Sequence, residues 1–296
     1  MLKSEMDRRG TVSYWRFYRN RFLRLYPAML TMLAIFSAVT LTTDLTKDRP
    51  KVLRTVLGAV TYTTNVSNDG VSRALNHLWT LALEEQFYVL WPVILVCALR
   101  KKVVPATLVL VAVILTAVCG WVIHLHADSV VQVYGLPTSW AITLLIGAAA
   151  RLSRDRLRRM LTGRRGQIAA IVAFAVVAVI TFLPDVKDEP MLYLVGGPLI
   201  AVSSVAMALQ AEKWSRTPIS LTPFRALGLI SYAAYLWNYL LVSWLQADGR
   251  FEMWDQLWSV ILSILAATLS WWLIERPFAD YRKRLDARAR ARVRIR

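Results

Sequence analysis

Acidic side chains are scarce in this chain of 296 residues: 19 stand against 36 basic ones, for a net charge of +17. Histidine is scarcer still, with three copies, and cysteine has two, Cys97 and Cys119. Both cysteines fall inside apolar runs, where a buried thiol is the ordinary reading. They provide no disulfide framework and no metal-ligand spacing, and they decide nothing about redox compartment. The sequence also has no glycine-rich phosphate loop, no zinc signature, no Gly-x-Ser-x-Gly elbow and no obvious internal repeat. Those gaps remove the sequence signatures of P-loop nucleotide chemistry, zinc hydrolysis and α/β-hydrolase catalysis, and no metal is expected. Chemistry has to come from isolated polar groups.

Apolar residues are abundant, at 56% of the chain, with a mean hydropathy of +0.44. They fall in blocks rather than in amphipathic stripes. Blocks of roughly 17 to 25 such residues match the ~30 Å hydrocarbon core of a bilayer. Spans are expected at 25–42, 78–99, 103–124, 138–152, 168–184, 191–211, 228–246 and 255–274. The excess of basic charge does not indicate nucleic acid, because it alternates from loop to loop. Arg8 to Arg24, Arg100 to Lys102, Arg151 to Arg165, Lys213 to Arg225 and Arg276 to Arg296 form the basic set, while 125–137, 185–189 and 247–254 are neutral or acidic. The expected fold is therefore an all-α integral membrane protein of about eight transmembrane helices with both termini cytoplasmic, a multi-pass protein of the cell membrane. Its parts are a basic linker (1–24), a transmembrane domain (25–275) and a basic tail (276–296). Topology and contact with anionic lipid account for most of the tail's charge.

The same topology makes 43–76 a large extracytoplasmic loop, because a full span at 52–66 would put Arg100 to Lys102 outside. An amphipathic or re-entrant piece is expected around Val52 to Tyr62. A loop this long between membrane helices is more often functional than idle.

Four places hold the polar groups. In Tyr18 to Pro27, Arg21 and Arg24 share a helical face and Pro27 suits a helix start. This stretch reads either as a positive-inside anchor or as a clamp for the phosphates of an anionic donor. In His77 to Pro92, two adjacent glutamates sit inside a span. Such groups cost about 2.5 to 3.5 kcal/mol each on insertion scales unless paired, buried or wetted. His77 and Glu84 are seven residues apart, nearly on one face and about 10 Å apart along the axis, whereas Glu85 points roughly 100° away. A histidine and a desolvated glutamate can divide general-base and orienting roles, or the glutamates can simply pair with arginines of other helices. In Ser231 to Leu240, Tyr232, Tyr235 and Tyr239 follow helical spacing as a packing stripe or a ligand box, and Asn238 needs a hydrogen-bond partner. In Ser270 to Phe278, Pro277 is expected to end the helix, and Glu275 with Arg276 reads as a terminal ion pair.

Taken together, Arg21-Phe-Leu-Arg24-Leu-Tyr-Pro27, Trp79-Thr-Leu-Ala-Leu-Glu84-Glu85-Gln86-Phe-Tyr88, Ser231-Tyr-Ala-Ala-Tyr-Leu-Trp237 and Ile274-Glu-Arg-Pro277 resemble the acyltransferase 3 family of membrane O-acyltransferases. The resemblance implies transfer of an acyl group, commonly acetyl, from cytosolic acyl-CoA to a hydroxyl of an extracytoplasmic carbohydrate or similar acceptor. Acyl-CoA enters as a co-substrate rather than a bound cofactor. On that reading Arg19, Arg21 and Arg24 hold the coenzyme phosphates, and His77, Glu84 and Glu85 are the catalytic candidates. Trp79, Tyr88 and Asn238 line the acceptor.

Two departures from the family pattern bear on activity. The family begins with two further helices, the first carrying an Arg and a His about three turns apart, and that His is the expected base. Met1 to Ser13 resembles the end of the second of these helices and the cytoplasmic linker that follows it. Asn238 stands where the family often has histidine, and an amide does not usefully accept a proton at neutral pH. The expectation is a family member lacking its amino-terminal catalytic helices, inactive in that form unless His77 or Glu84 supplies the base. His124 and His126, at an outer span end, fit a solvated interface. The competing class is a non-catalytic membrane protein or a proton-coupled transporter using Glu84 and Glu85, although the broken paired helices and related halves typical of transporters are absent.

Overall fold

The computed structural model describes residues 5–7, 10–66, 70–213, 222–247, 249 and 253–294. The basic loop expected from Lys213 to Arg225 falls mostly outside the described residues, as do parts of 247–254 and of both ends. Among the described residues all regular structure is helical. In chain order the helices are α1 (Tyr14–Thr43), α2 (Val52–Val60), α3 (Leu78–Arg100), α4 (Val104–Leu125), α5 (Pro137–Leu152), α6 (Arg154–Met160) and α7 (Gly163–Phe182). They continue with α8 (Gly197–Ala211), α9 (Thr222–Leu245), α10 (Met253–Ser270) and α11 (Arg276–Arg294). Five-residue π turns precede α8 at Leu192–Gly196 and join α10 to α11 at Trp271–Glu275.

Seven helices among the described residues are long and apolar enough to cross a bilayer, which makes this a multi-pass membrane protein. The segment read as a span at 138–152 is α5, which has 16 residues and is therefore about 24 Å long, short of the ~30 Å core. The amphipathic piece of the 43–76 loop is α2, whose nine residues are too few to span.

Two proline readings are corrected. Pro27 lies inside α1, which starts at Tyr14 with the Ser13 hydroxyl accepting from Arg16 N at 3.3 Å. Pro277 does not end a helix either, for the chain stays helical to Arg294. The preceding turn is wound wide, with Arg276 N–H bonded five residues back to Trp271 O. This leaves Pro277 in the first turn of α11, where a missing N–H costs little.

The chain divides into two compact units. The first comprises 1–12 and 83–217. Its buried centre is Cys119, Ile123, Val133, Leu192 and Tyr193. Trp140 Nε1 donates to Tyr134 O at 2.7 Å, and Tyr193 Oη donates to Lys187 O at 2.6 Å. The aromatic side chains are thus buried with their polar ends satisfied.

The second unit comprises 13–82 and 218–296. From α1 it buries Leu25, Ala28, Met29, Met32, Leu33, Phe36 and Thr40, the three-and-four spacing of a single helical stripe. That stripe meets Val52 and Ala59 of α2, Ala74 and Leu75 of the turn before α3, and Ala233, Leu236, Trp237 and Leu240 of α9. The phenol of Tyr26 donates to Val60 O at 2.8 Å, tying α1 to α2, and Tyr232 Oη donates to Leu25 O at 2.8 Å, tying α9 to α1. The same core buries Ala74 and Leu75 of the short 3-10 turn, two residues before His77.

Candidate functional site

His77 immediately precedes α3 and is gripped by α9. Tyr235 Oη donates to the His77 carbonyl at 2.6 Å and lies 2.8 Å from Thr80 Oγ1, which itself is 3.1 Å from the same carbonyl. The imidazole rests edge-on to the Tyr235 ring and tilted against the Tyr239 ring, each 5.0 Å away between centroids. The backbone is therefore fixed by hydrogen bonds, and the ring is packed between two aromatic rings. Both ring nitrogens are shielded from solvent, and neither completes a hydrogen bond of good geometry. Burial pushes the imidazole down from 6.5 to about 4, offset in part by main chain of Leu236. At neutral pH it is uncharged, with one nitrogen able to accept and the other to donate.

The arginines of the expected phosphate clamp are divided by their partners. Arg19 is committed within the protein: its Nη2 pairs with Asp286 Oδ1 at 2.9 Å and with Asn20 Oδ1 at 3.1 Å. Asn20 Nδ2 holds the other oxygen of Asp286 at 3.0 Å, and Arg282 donates to Asn20 O at 3.4 Å. Arg24 is exposed and is the charge that acts on the Glu275 carboxyl, whose Oε1 is buried without a hydrogen-bond partner. Arg21, half-buried, shares the α1 face with Arg24. The terminal pair expected between Glu275 and Arg276 is not formed. Arg276 lies over the Trp272 ring at 4.3 Å instead.

The remaining candidates separate as well. Glu84 is exposed and Glu85 is 8% exposed, so the desolvated carboxylate of the pair is Glu85. Glu84, Glu85 and Tyr88 belong to the first unit, and His77 and Trp79 to the second. Trp79 and Tyr88 are half-buried, with Tyr88 edge-on to Phe87 at 5.8 Å. Asn238 is exposed, and its side-chain amide donates to Ser263 Oγ of α10 at 3.2 Å, which links the two helices. His126 Nδ1 contacts Val122 O at 2.9 Å within its own helix end. Among the described residues no group of three or more His, Cys, Asp or Glu side chains is placed to hold a metal ion.

Two residues of this arrangement are not evident from the sequence. Thr80 reads as an ordinary helix hydroxyl, and only its contact with Tyr235 across 155 residues gives it a role. Asp286 carries a faint signal, as one acid within a run of arginines and a lysine, which suggests a local ion pair rather than one reaching α1.

Residues 3–276 match the acyltransferase 3 family, whose description is an acyltransferase domain. A putative peptidoglycan O-acetyltransferase of Bacillus subtilis (strain 168), YrhL, is 30% identical over 224 residues, covering 70% of this chain and 35% of its own length. The O-acetyltransferase OatA of Staphylococcus aureus (strain NCTC 8325 / PS 47) is 25% identical over 94% of this chain and 49% of its own. A putative O-acetyltransferase of S. aureus (strain COL) is likewise 25% identical over 94% of the chain and 50% of its own. The chain thus spans about half or less of the length of these relatives. No solved structure matches. With a match that takes in every helix from α1 to α10, the chain belongs to the acyltransferase 3 family.

Proposed function

We propose that the chain is the membrane-embedded part of an O-acyltransferase that moves an acyl group, acetyl foremost, from cytosolic acyl-CoA to a hydroxyl of an extracytoplasmic carbohydrate. Family membership supports the reaction class, and the name of the B. subtilis relative supports a peptidoglycan-type acceptor. Arg21 and Arg24 supply the cationic entrance for the coenzyme phosphates, with Arg19 held back by Asp286 as part of the frame.

The observation that carries the reading is the state of His77: an uncharged imidazole, fixed through its own carbonyl, with neither nitrogen in a hydrogen bond of good geometry. In the reaction the acceptor O–H gives its proton to the basic nitrogen as the oxygen attacks the thioester carbonyl. The C–S bond then breaks, and the coenzyme thiolate leaves to take up a proton. A ring held at about 4 is a weak base, so its contribution falls in the lower part of the roughly 10²- to 10⁴-fold range of general bases.

The test is acceptor-dependent release of free coenzyme A thiol by the protein in lipid nanodiscs, given acetyl-CoA and a soluble glycan. Release that requires the glycan is expected. Proton-coupled flux in vesicles without thiol release would establish a transporter instead. Undiminished release by His77→Ala would assign proton removal to another group.

A further inference from the structure

The second unit has a feature that acyl transfer at His77 does not use. The described residues of the 43–76 loop are held together by side-chain hydrogen bonds. Ser72 N donates to Thr55 Oγ1 at 2.9 Å, Ser72 Oγ donates to Asp48 Oδ2 at 2.6 Å, and Lys51 pairs with the other oxygen of Asp48 at 2.9 Å. With the Tyr26 bond to Val60, these contacts anchor α2 against α1. Beside α2 they leave a recess of about 380 Å³ that opens to the surface.

The walls of the recess have a mixed chemistry. Leu53 and Leu57 are 70% and 55% exposed, and with Val71 they form an apolar side. Arg54, Thr61 and Thr63 line the recess as well and supply its polar groups. Thr61 gives its only hydroxyl proton to Leu57 O at 2.7 Å, so in its 2.8 Å contact with Thr63 the latter is the donor. Both lone pairs of Thr63 Oγ therefore remain to accept from a ligand hydroxyl. The guanidinium of Arg54 lies across Gly70, where φ is +86° and an added Cβ would come within 2.8 Å of Nη1. Only glycine allows the chain to pass beneath it in that conformation. Five N–H donors let Arg54 keep a local partner and still meet a ligand carboxylate.

Resting on the acyl-transfer reading, we propose that this recess is the docking subsite for a glycan acceptor that carries a carboxylate. Arg54 takes the carboxylate, Thr63 accepts from a ring hydroxyl, and Leu53 and Leu57 pack on the C–H face of the sugar. The positive-inside assignment places the loop on the outer side, where such a polymer lies. Val71 precedes His77 by six residues, so the recess is at most about 20 Å of chain from the imidazole, a distance that a short oligosaccharide covers.

The experiment is equilibrium binding to the chain in zwitterionic-lipid nanodiscs without acetyl-CoA. The probes are the N-acetylglucosaminyl-N-acetylmuramic acid disaccharide and uncharged diacetylchitobiose. Wild type is expected to prefer the carboxylate probe. Arg54→Gln should weaken that probe tenfold or more and leave the uncharged one within twofold, and Thr63→Val should weaken both. Gly70→Ala should reproduce the Arg54→Gln pattern by displacing the guanidinium. Equal affinities of wild type for the two probes, or variants that bind like wild type, would overturn the proposal. A chain that binds selectively but releases no coenzyme A would remove the acyl-transfer reading and leave the recess. A chain that transfers acetyl with an acceptor KM indifferent to these variants would do the reverse.

Discussion

Helices α3 and α4 are neighbours in sequence and of nearly equal length, 23 and 22 residues, yet the protein treats them in opposite ways. Half of the most apolar stretch of α3 is buried within the protein, against 6% of that of α4. The buried helix is the one that carries Glu84, Glu85 and Gln86, whereas α4 contains no charged residue and exposes Val109, Leu110, Val113 and Trp121. In water the more apolar segment would be the inner one. In lipid a hydrocarbon side chain gains little by leaving the bilayer, whereas a carboxylate gains a great deal by leaving it. Glu85 follows that rule and is buried while Glu84 stays exposed, so α3 is sorted face by face, and the exposed apolar side chains of α4 suit contact with lipid.

Four perturbations break or sharpen this contrast. The largest expected effect belongs to His77, at the head of the buried helix: His77→Ala should lower kcat for acetyl transfer by roughly 10²-fold or more. His124→Ala, at the end of the lipid-facing helix, should stay within twofold. Thiol-release kinetics compare the two directly.

Next comes pH. The native imidazole titrates near 4 and the unfolded one at 6.5, so above 6.5 both are neutral and its contribution to stability is complete. As pH falls from 6.5 towards 4, the unfolded chain takes up a proton that the native chain refuses. Stability should then drop by on the order of 3 kcal/mol. Denaturation in mild detergent across that window should show the slope in wild type and a flatter one in His77→Gln.

A charge placed in the middle of α4 tests the other side of the comparison. Val113→Arg, at a position 60% exposed, should cost about 2.5 to 3.5 kcal/mol in an insertion assay. Val113→Leu should cost nothing measurable. If the arginine variant inserts as readily as wild type, α4 does not face lipid. The smallest effect is that of Tyr235→Phe, which deletes the hydroxyl holding the His77 carbonyl and keeps the ring. About 1 kcal/mol of stability should be lost, with kcat reduced more than KM, because the imidazole stays in place but is less well aimed.

The spans were legible because insertion depends on a one-dimensional sum of side-chain transfer costs, which a run such as Val104 to Leu125 displays openly. The prolines were not. The penalty of Pro277 is local and depends on how the previous turn is wound, and nothing in Trp271 to Glu275 announces a π turn. The choice between Glu84 and Glu85 was equally hidden, since the two are adjacent in Leu83-Glu84-Glu85-Gln86 and the helix phase is set by packing partners. Tyr235, Tyr239 and His77 were each identifiable as candidates, but their meeting joins segments more than 150 residues apart. The pairing of Arg19 with Asp286 spans 267 positions. Contacts of that range follow from the fold and have no signature in spacing.

The wide turn ahead of Pro277 has a mechanical consequence. Because it carries the helix onward, the run from Met253 to Arg294 is continuous and about 60 Å long, twice the thickness of the oil it crosses. The surplus emerges as a stiff post, bolted to the root of α1 where Arg19 and Asn20 clasp Asp286. A pull or twist applied to that post is delivered to the same helix that carries Arg21 and Arg24.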